Sequence, residues 1–419
     1  MWIYVQIPSA MKRTLLSILL TTMMAMLPAQ DLQKLSEEST ISLLTCGTGE
    51  ALYAYFGHSA LRVADQNLGI DRIYNYGTFD FNTPNFYGRF LTGTPEYMLS
   101  VSSFPYFYAE YVSENRSIRE QVLNLNDDEK QRLYELLEIN FLPENRYYRY
   151  DFLFDNCSSR IRDIVLLATR DRFLLVEPDE PLQTFRQLLQ PYITHSSWLA
   201  LGINLLLAGG TDEKAGFSQY MFLPDEMERL FRYYENREGQ SLVSAERIIY
   251  LNQPDNKSAT AFSAPVLIAF ILAAALILTW FYRSNGWAWN LFDTILYMVA
   301  GAAGIIMVFL WFFSEYTVIN ANLNLTWAFP PSILLALFIW FKKLYNLVKI
   351  YCRIMILLST GLLMLLSSAQ TIPMAGYLLF ILVLTRMLSR TGWIDKEPLL
   401  LRKPGYRARS QSAASPLCR

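Results

Sequence analysis

The sequence predicts an α+β soluble domain followed by an all-α membrane unit of five helices. Three observations predict it. Residues 30–263 mix short β-type runs with helical periods, in a stretch long enough for one domain with a real core. From Ala264 onward the chain carries a series of long apolar runs. Ahead of both, "MKRTLLSILLTTMMAMLPAQ" joins Lys12 and Arg13 to a short apolar core and small residues ending near Ala29. That pattern reads as a secretory signal, residues 1–29, with Met11 as the natural start and "MWIYVQIPSA" as an extension ahead of it.

Composition narrows the function classes. The 419 residues are 53% hydrophobic and 15% aromatic, and the net charge is −1, so global charge points to neither nucleic acid nor an acidic substrate. Neither a glycine-rich phosphate loop nor a metal-type cysteine and histidine cluster occurs, so no metal or cofactor is expected.

Within the soluble domain, "SLLTC" reads as a short apolar strand running into the glycine-marked turn "CGTGE". "HSALRV" alternates and ends in a turn, and "DRIYNYGTFDF" is rich in Ile, Tyr and Phe; both read as strands. "YMLSVSSF" and "SIREQVLNL" extend the set. "NDDEKQRLYELLEIN" carries a polar cap at Asn126, acids in its first turn and a helical period. "RYYRYDFLF" is extended and aromatic, and "SSRIRDIVLLATR" is helical with Ile161, Ile164, Val165 and Ala168 on one stripe. Helices are expected across "PLQTFRQLLQ" and "DEMERLFRYYEN", and "SAERIIYLNQP" reads as a closing strand. The aromatic run "FPYFYAEY" reads as core, with a place at the bilayer surface, where Tyr and Phe are at home, as the alternative.

The five expected spans are "APVLIAFILAAALILTWFY", "LFDTILYMVAGAAGIIMVFLWFF", "LTWAFPPSILLALFIWF", "IMILLSTGLLMLLSSAQ" and "PMAGYLLFILVLTRML". The third holds Pro330 and Pro331, which membrane helices tolerate when neighbours satisfy the freed carbonyls. Basic residues gather at Arg283, in "KKLYNLVKIYCR" and in the tail, while "SEYTVINANLN" and "SSAQTIP" have none. By the positive-inside rule the basic segments are cytoplasmic and residues 30–263 lie outside. The expected layout is a multi-pass protein with a membrane unit at 264–390 and a basic cytoplasmic tail at 391–419.

The chemistry centres on "YDFLFDNCSSRIRDIV". Asn156 is a good N-cap, which leaves Cys157 at the first helical position. The free amides and dipole there favour an anion, so a thiol loses its proton more easily. Neighbouring amides suit an oxyanion, which makes Asn156 and Ser158 candidate substrate contacts beside Cys157. A thiolate needs a base. His58 in "YFGHSALRV" opens a strand after a glycine and is the better of the two histidines; His195 opens an apolar helix and reads as structural. Asn75 or Tyr76 on the neighbouring strand suits the group that orients the imidazole, with Asp80 more remote, and Tyr76 is also a candidate substrate contact. The competing readings are a Cys46–Cys157 disulfide, natural in an oxidising compartment, and a satisfied core histidine at His58. Cys352 and Cys418 fall on the cytoplasmic side and read as inert.

At "LLTCGTGEALYAYFGHSALRV", "YNYGTFDF" and "DNCSSRIRD", followed by five apolar spans, the sequence resembles the bacterial lipoprotein N-acyltransferase Lnb family. The soluble motifs are also similar to circularly permuted papain-like (NlpC/P60-related) enzymes, in which the histidine strand precedes the cysteine helix. The resemblance implies a periplasmic domain on the bacterial inner membrane, with Cys157 as nucleophile and His58 as base, while the third position varies among such enzymes and leaves Asn75 a candidate. It implies transfer of an acyl chain from a membrane phospholipid, through a cysteine thioester, to the α-amine of a lipoprotein's lipidated N-terminal cysteine. A membrane-anchored periplasmic cysteine amidase or peptidase, and a non-catalytic chaperone or scaffold with Cys157 in a disulfide, are the rival expectations. The oligomeric state is left open.

Overall fold

A computed structural model describes residues 33–193, 197–253, 263–282 and 286–393. The expected signal at 1–29, His195, Arg283, Cys418 and most of the linker and basic tail lie outside the described residues.

In chain order the soluble part comprises β1 (Thr40–Cys46), β2 (His58–Asp65), β3 (Ile70–Thr78), α1 (Phe86–Leu91), β4 (Glu96–Ser103), α2 (Phe104–Ser113), β5 (Ile118–Leu123), α3 (Asp127–Phe141), β6 (Tyr147–Arg149) and α4 (Cys157–Thr169). It continues with β7 (Leu174–Leu175), α5 (Phe185–Ile193), α6 (Ser197–Leu206), α7 (Phe217–Tyr220), α8 (Pro224–Phe231), β8 (Tyr234–Glu235) and β9 (Val243–Tyr250). Seven strands form one sheet in the order β6-β4-β3-β2-β1-β5-β9, with antiparallel pairing throughout. The domain is therefore a mixed sheet-and-helix unit, as the strand and helix patterns predict.

Period-2 alternation gives the sheet two faces. Leu43, Leu61, Val63 and Tyr74 pack with Leu133, Leu137, Ile161 and Val165 of α3 and α4. Leu44, Cys46, Ala60 and Ile73 point the other way, against Phe107 and Tyr111 of α2. The "FPYFYAEY" run is core only through Phe107 and Tyr111, while Tyr106 and Tyr108 are exposed: Pro105 in its first turn and two buried aromatics one turn apart make it α2. The expected extended run at "RYYRYDFLF" is strand only at Tyr147–Arg149; Asp151 then accepts from the amides of Leu153 and Phe154 and turns the chain toward α4.

The C-terminal part is helical: α9 (Ala264–Tyr282), α10 (Trp287–Phe313), α11 (Ser332–Phe338), α12 (Tyr345–Leu366) and α13 (Met374–Arg390). Segments Trp287–Phe313 and Lys342–Leu366 are long and apolar enough to cross a membrane. The third expected span is corrected. It is not a continuous helix but a 3-10 turn at Leu323–Thr326 followed by the seven-residue α11. Seven residues rise about 10 Å, far short of a roughly 30 Å hydrocarbon core. Pro330 and Pro331 supply the cause, since proline removes backbone donors and clashes with the preceding turn. The broken segment lies along α10 where Gly301 and Gly304 admit it; a Cβ at Gly304 would collide with the Ala328 oxygen. Its far end is tied by Trp340 Nε1 donating to Thr294 Oγ1 at 2.8 Å.

Two polar devices organise this unit. Asp293, fully buried in α10, accepts from Arg386 at 2.6 and 3.0 Å and from Arg390 Nε at 2.7 Å, and Arg386 also donates to Thr279 of α9 at 2.7 Å. The buried charges are paired, as a low-dielectric site requires. At the opposite end the unit holds the soluble domain. Asn322 Nδ2 donates to the Leu205 and Leu206 carbonyls, Asn324 Nδ2 to Leu205, and Gln370 Nε2 to Leu207. These side chains satisfy carbonyls at the C-terminal end of α6 that a helix leaves without internal partners. Ala208 N–H adds a bond to the Val318 carbonyl at 2.8 Å.

Candidate active site

Local chemistry fixes the cysteine. Asn156 is extended at the N-cap, and its Oδ1 accepts from the amides of Ser158 and Ser159, each at 2.9 Å. Ser159 Oγ accepts from the Asn156 amide at 2.8 Å, completing a capping box. Asn156 Nδ2 donates to the Phe152 and Phe222 carbonyls at 2.8 and 2.7 Å. Cys157 therefore occupies the first turn of α4, as the sequence predicts, with its orientation set by a cap whose hydrogen bonds are internal.

This geometry shows what surrounds the three expected substrate contacts. Asn156 is buried with its amide committed to backbone partners and positions the helix. The Ser158 and Ser159 amides donate to that cap, and the Ser158 amide also favours the Cys157 anion. Ser158 is also buried, and its Oγ lies 2.9 Å from Ser59 Oγ, a strut between α4 and β2. Tyr76 sits on the core face of β3, and its hydroxyl accepts from Asn140 Nδ2 at 2.7 Å; it is a packing residue.

The base candidate stands at the head of β2, in register with Cys46 of β1. His58 Nε2 lies 3.4 Å from Asn75 Oδ1. A carboxamide oxygen only accepts, so Nε2 carries the proton in this pairing and Nδ1 keeps the lone pair. Asn75 is thus brought to His58 as expected, and its Nδ2 reaches Ser102 Oγ at 3.5 Å. The imidazole lies parallel to the Tyr111 ring, with centroids 6.5 Å apart.

The sulfur comes to the end of β2 and β3 that carries His58, while the imidazole itself turns to the α2 face with Cys46 and Tyr111. The Ser59 amide is beside the Cys157 sulfur and favours its anion, and Ser59 directly follows His58. From β3 the approach is made at Gly77, in the left-handed region at φ 85°. A methyl there would lie 3.4 Å from Cys157 Cβ and 3.8 Å from the Tyr150 ring. The β3–β4 register shifts between Asn75 and Thr78, so the strand opens where the helix end arrives.

Electrostatics set the resting protonation. Burial pushes the Cys157 thiol up, against the helix-end amides that pull it down. The expectation of a readily ionised thiol is thereby corrected for this closed arrangement: desolvation outweighs the helix terminus. Burial and the Arg116 guanidinium lower His58 from 6.5 to about 4, with the Asn75 hydrogen bond opposing. The pair at rest is thiol and neutral imidazole. Cys46 is pushed up to about 12 by burial. Cys46 and Cys157 are both free thiols, so the disulfide expected by the scaffold reading is not formed.

Several neighbours escape sequence reasoning. Ser59 and Arg116 carry no motif. Gly77 does carry a signal, since an isolated glycine inside a strand marks a bulge or a close approach. Tyr148 and Tyr150 form an aromatic side to the sulfur, with Tyr150 stacked on Tyr97 at 4.2 Å. Among the described residues no group of three or more His, Cys, Asp and Glu side chains forms a metal cluster.

The fold and site define a class: a membrane protein whose extramembrane α/β domain holds a free cysteine at a helix start beside a histidine strand. Two family models match, the Lnb N-terminal periplasmic domain over residues 31–191 and the Lnb transmembrane domain over residues 256–397. The chain belongs to the Lnb family, with a periplasmic N-terminal domain and a membrane-embedded C-terminal one. No curated protein and no solved structure matches it.

Proposed function

We propose that the protein is a thiol-dependent lipoprotein N-acyltransferase of the bacterial inner membrane, with a permuted papain-like domain on five membrane crossings, the third of them broken, and a cytoplasmic C-terminus. The reading is supported by the position of Cys157 in the first turn of α4, against Gly77 and the Ser59 amide, with His58, 3.4 Å from Asn75 Oδ1, preceding Ser59 on β2.

The neutral imidazole acts as general base instead of half of a standing ion pair. Nδ1 of His58 takes the Cys157 proton as the sulfur attacks the ester carbonyl of a phospholipid acyl chain. The amides of Cys157 and Ser59 hold the oxyanion. The ester C–O bond breaks, the lysophospholipid oxygen leaves with the proton from the imidazolium, and a thioester remains. The α-amine of the lipoprotein's diacylated N-terminal cysteine then attacks the thioester. The C–S bond breaks, the amine's proton returns through His58 to the sulfur, and an amide forms. No metal or diffusible cofactor enters these steps.

The test is mass spectrometry of lipoprotein N-terminal peptides after the full-length protein, in membranes with phospholipid, meets a diacylated lipoprotein. The reading predicts a gain of one N-linked acyl chain with wild type and none with Cys157→Ala. Fatty acid release without any amide would show hydrolysis and contradict it.

A further inference from the structure

We infer that α1 and the Leu52–Ala54 turn form an aromatic lip in the outer bilayer interface, over which a phospholipid acyl chain reaches Cys157. This rests on the acyl-transfer reading above and specifies how the donor arrives.

The height of the lip follows from α10. That helix has 27 residues and is about 40 Å long, more than a roughly 30 Å hydrocarbon core requires. Its outer end exposes Trp311, Phe312 and Phe313, a belt of the kind that settles at headgroup level. The chain leaving this belt is bonded to the end of α1. Glu315 N–H donates to the Thr92 carbonyl at 2.9 Å, and the Glu315 carboxylate pairs with Arg149, whose Nε donates to the Gly93 carbonyl at 3.0 Å. The α1 helix therefore continues the belt at the same level.

The surface of α1 is wrong for water alone. Tyr87 is 71% exposed, with Phe90 and Leu91 beside it, and Leu52 and Tyr53 stand exposed on the neighbouring turn. Exposed apolar groups gathered at the rim of a membrane belt mark a lipid contact better than five unrelated surface residues would. The one charge in α1, Arg89, is engaged by Glu96 at 2.5 Å.

Aromatic contacts run inward from the lip to the sulfur. Tyr53 meets Phe79 edge-on at 5.6 Å, Phe79 meets Tyr97 at 5.0 Å, and Tyr97 stacks on Tyr150, the ring that faces Gly77 and Cys157. An acyl chain leaving the bilayer along this wall stays in apolar contact. Each methylene kept from water favours this route over one through solvent.

The experiment uses full-length protein in nanodiscs of phosphatidylethanolamine and phosphatidylglycerol containing an alkyne-tagged phospholipid. Photoreactive benzoylphenylalanine replaces Tyr87 or Phe90, or Arg237, exposed on the turn leading to the opposite sheet edge. Lipid adducts at 87 and 90 but not at 237 support the lip. Adducts at none of the three, or protein adducts only at 87 and 90, overturn it. Phe90→Asp is then assayed for acyl transfer from bilayer phospholipid and from monomeric dihexanoyl phosphatidylcholine. Transfer from the bilayer donor falls about tenfold or more, the loss expected for one buried aromatic contact, and the short-chain donor is affected much less. An active wild type whose bilayer reaction is unmoved by Phe90→Asp overturns the lip alone. A wild type that transfers from neither donor overturns the acyl-transfer reading instead.

Discussion

Cys46 and Cys157 are both buried thiols of one sheet domain, and they differ in nearly everything that chemistry needs. Cys46 points to the α2 face with Leu44, Ala60 and Phe107, and burial pushes it up to about 12 although the Arg116 guanidinium and the Tyr111 hydroxyl favour its anion. Cys157 is desolvated too, but it stands at a helix start with the amides of Ser59 and Ser158 favouring its anion. Burial raises both, so burial cannot tell a nucleophile from a filler. What separates them is the helix start that supplies backbone amides to Cys157 and the approach made by Gly77 on one side and the aromatic wall on the other.

The sharpest way to break this contrast is to remove each sulfur. Cys157→Ala should lower N-acylation on the order of 10⁴-fold or more, as loss of a nucleophile does, with protein that still inserts and melts normally. Comparable turnover in Cys157→Ala would erase the distinction.

Next in size is the base. His58→Gln should lower turnover by about 10²–10⁴-fold, the usual weight of general base catalysis. The pH response carries the sign. His58 titrates near 4 in the folded protein against 6.5 ordinarily, so folded protein binds its proton later than unfolded chain as pH falls. Its stability contribution is complete above about 6.5 and is lost as pH drops through 4. The acid limb of kcat/KM should likewise lie near 4, and thermal melts of His58→Gln should lose the pH dependence between those values. A wild-type limb near 6.5 would place the imidazole in water.

A smaller effect comes from the approach to the sulfur. Gly77→Ala puts a methyl in contact with Cys157 Cβ at a positive φ. It should lower stability by about 1 kcal/mol or more and turnover on the order of tenfold, since small displacements of reacting groups are costly. Smallest in activity is Cys46→Ser. A serine hydroxyl there keeps the Tyr111 hydroxyl as a partner and should cost about 1 kcal/mol of stability or less, while membrane assays show turnover close to wild type.

Much of this was legible in the sequence because it depends on neighbours in the chain. The cap at Asn156 places Cys157, and capping is a matter of three consecutive residues. His58 opens a strand after Gly57, and Asn75 lies on the adjoining strand, as alternation and turns predict. Proline chemistry marked the third crossing as the weak one, although its breakage needed the glycine face of α10 to be seen. The commitments of Asn156 Nδ2 to Phe222, of Ser158 to Ser59 and of Asn322 to α6 were not legible, because their partners lie 66, 99 and 117 residues away. For the same reason the burial of Asn156, Ser158 and Tyr76 was not legible. The resting protonation was missed because helix ends are local and burial is not.

The central claim is that one sulfur carries the acyl group between two lipids. Intact mass of the full-length protein after exposure to phospholipid without acceptor tests it directly. The account predicts a single acyl adduct that maps to Cys157 and disappears on adding a diacylated lipoprotein peptide. An adduct on any other residue, or none while the acceptor is still acylated, would contradict it.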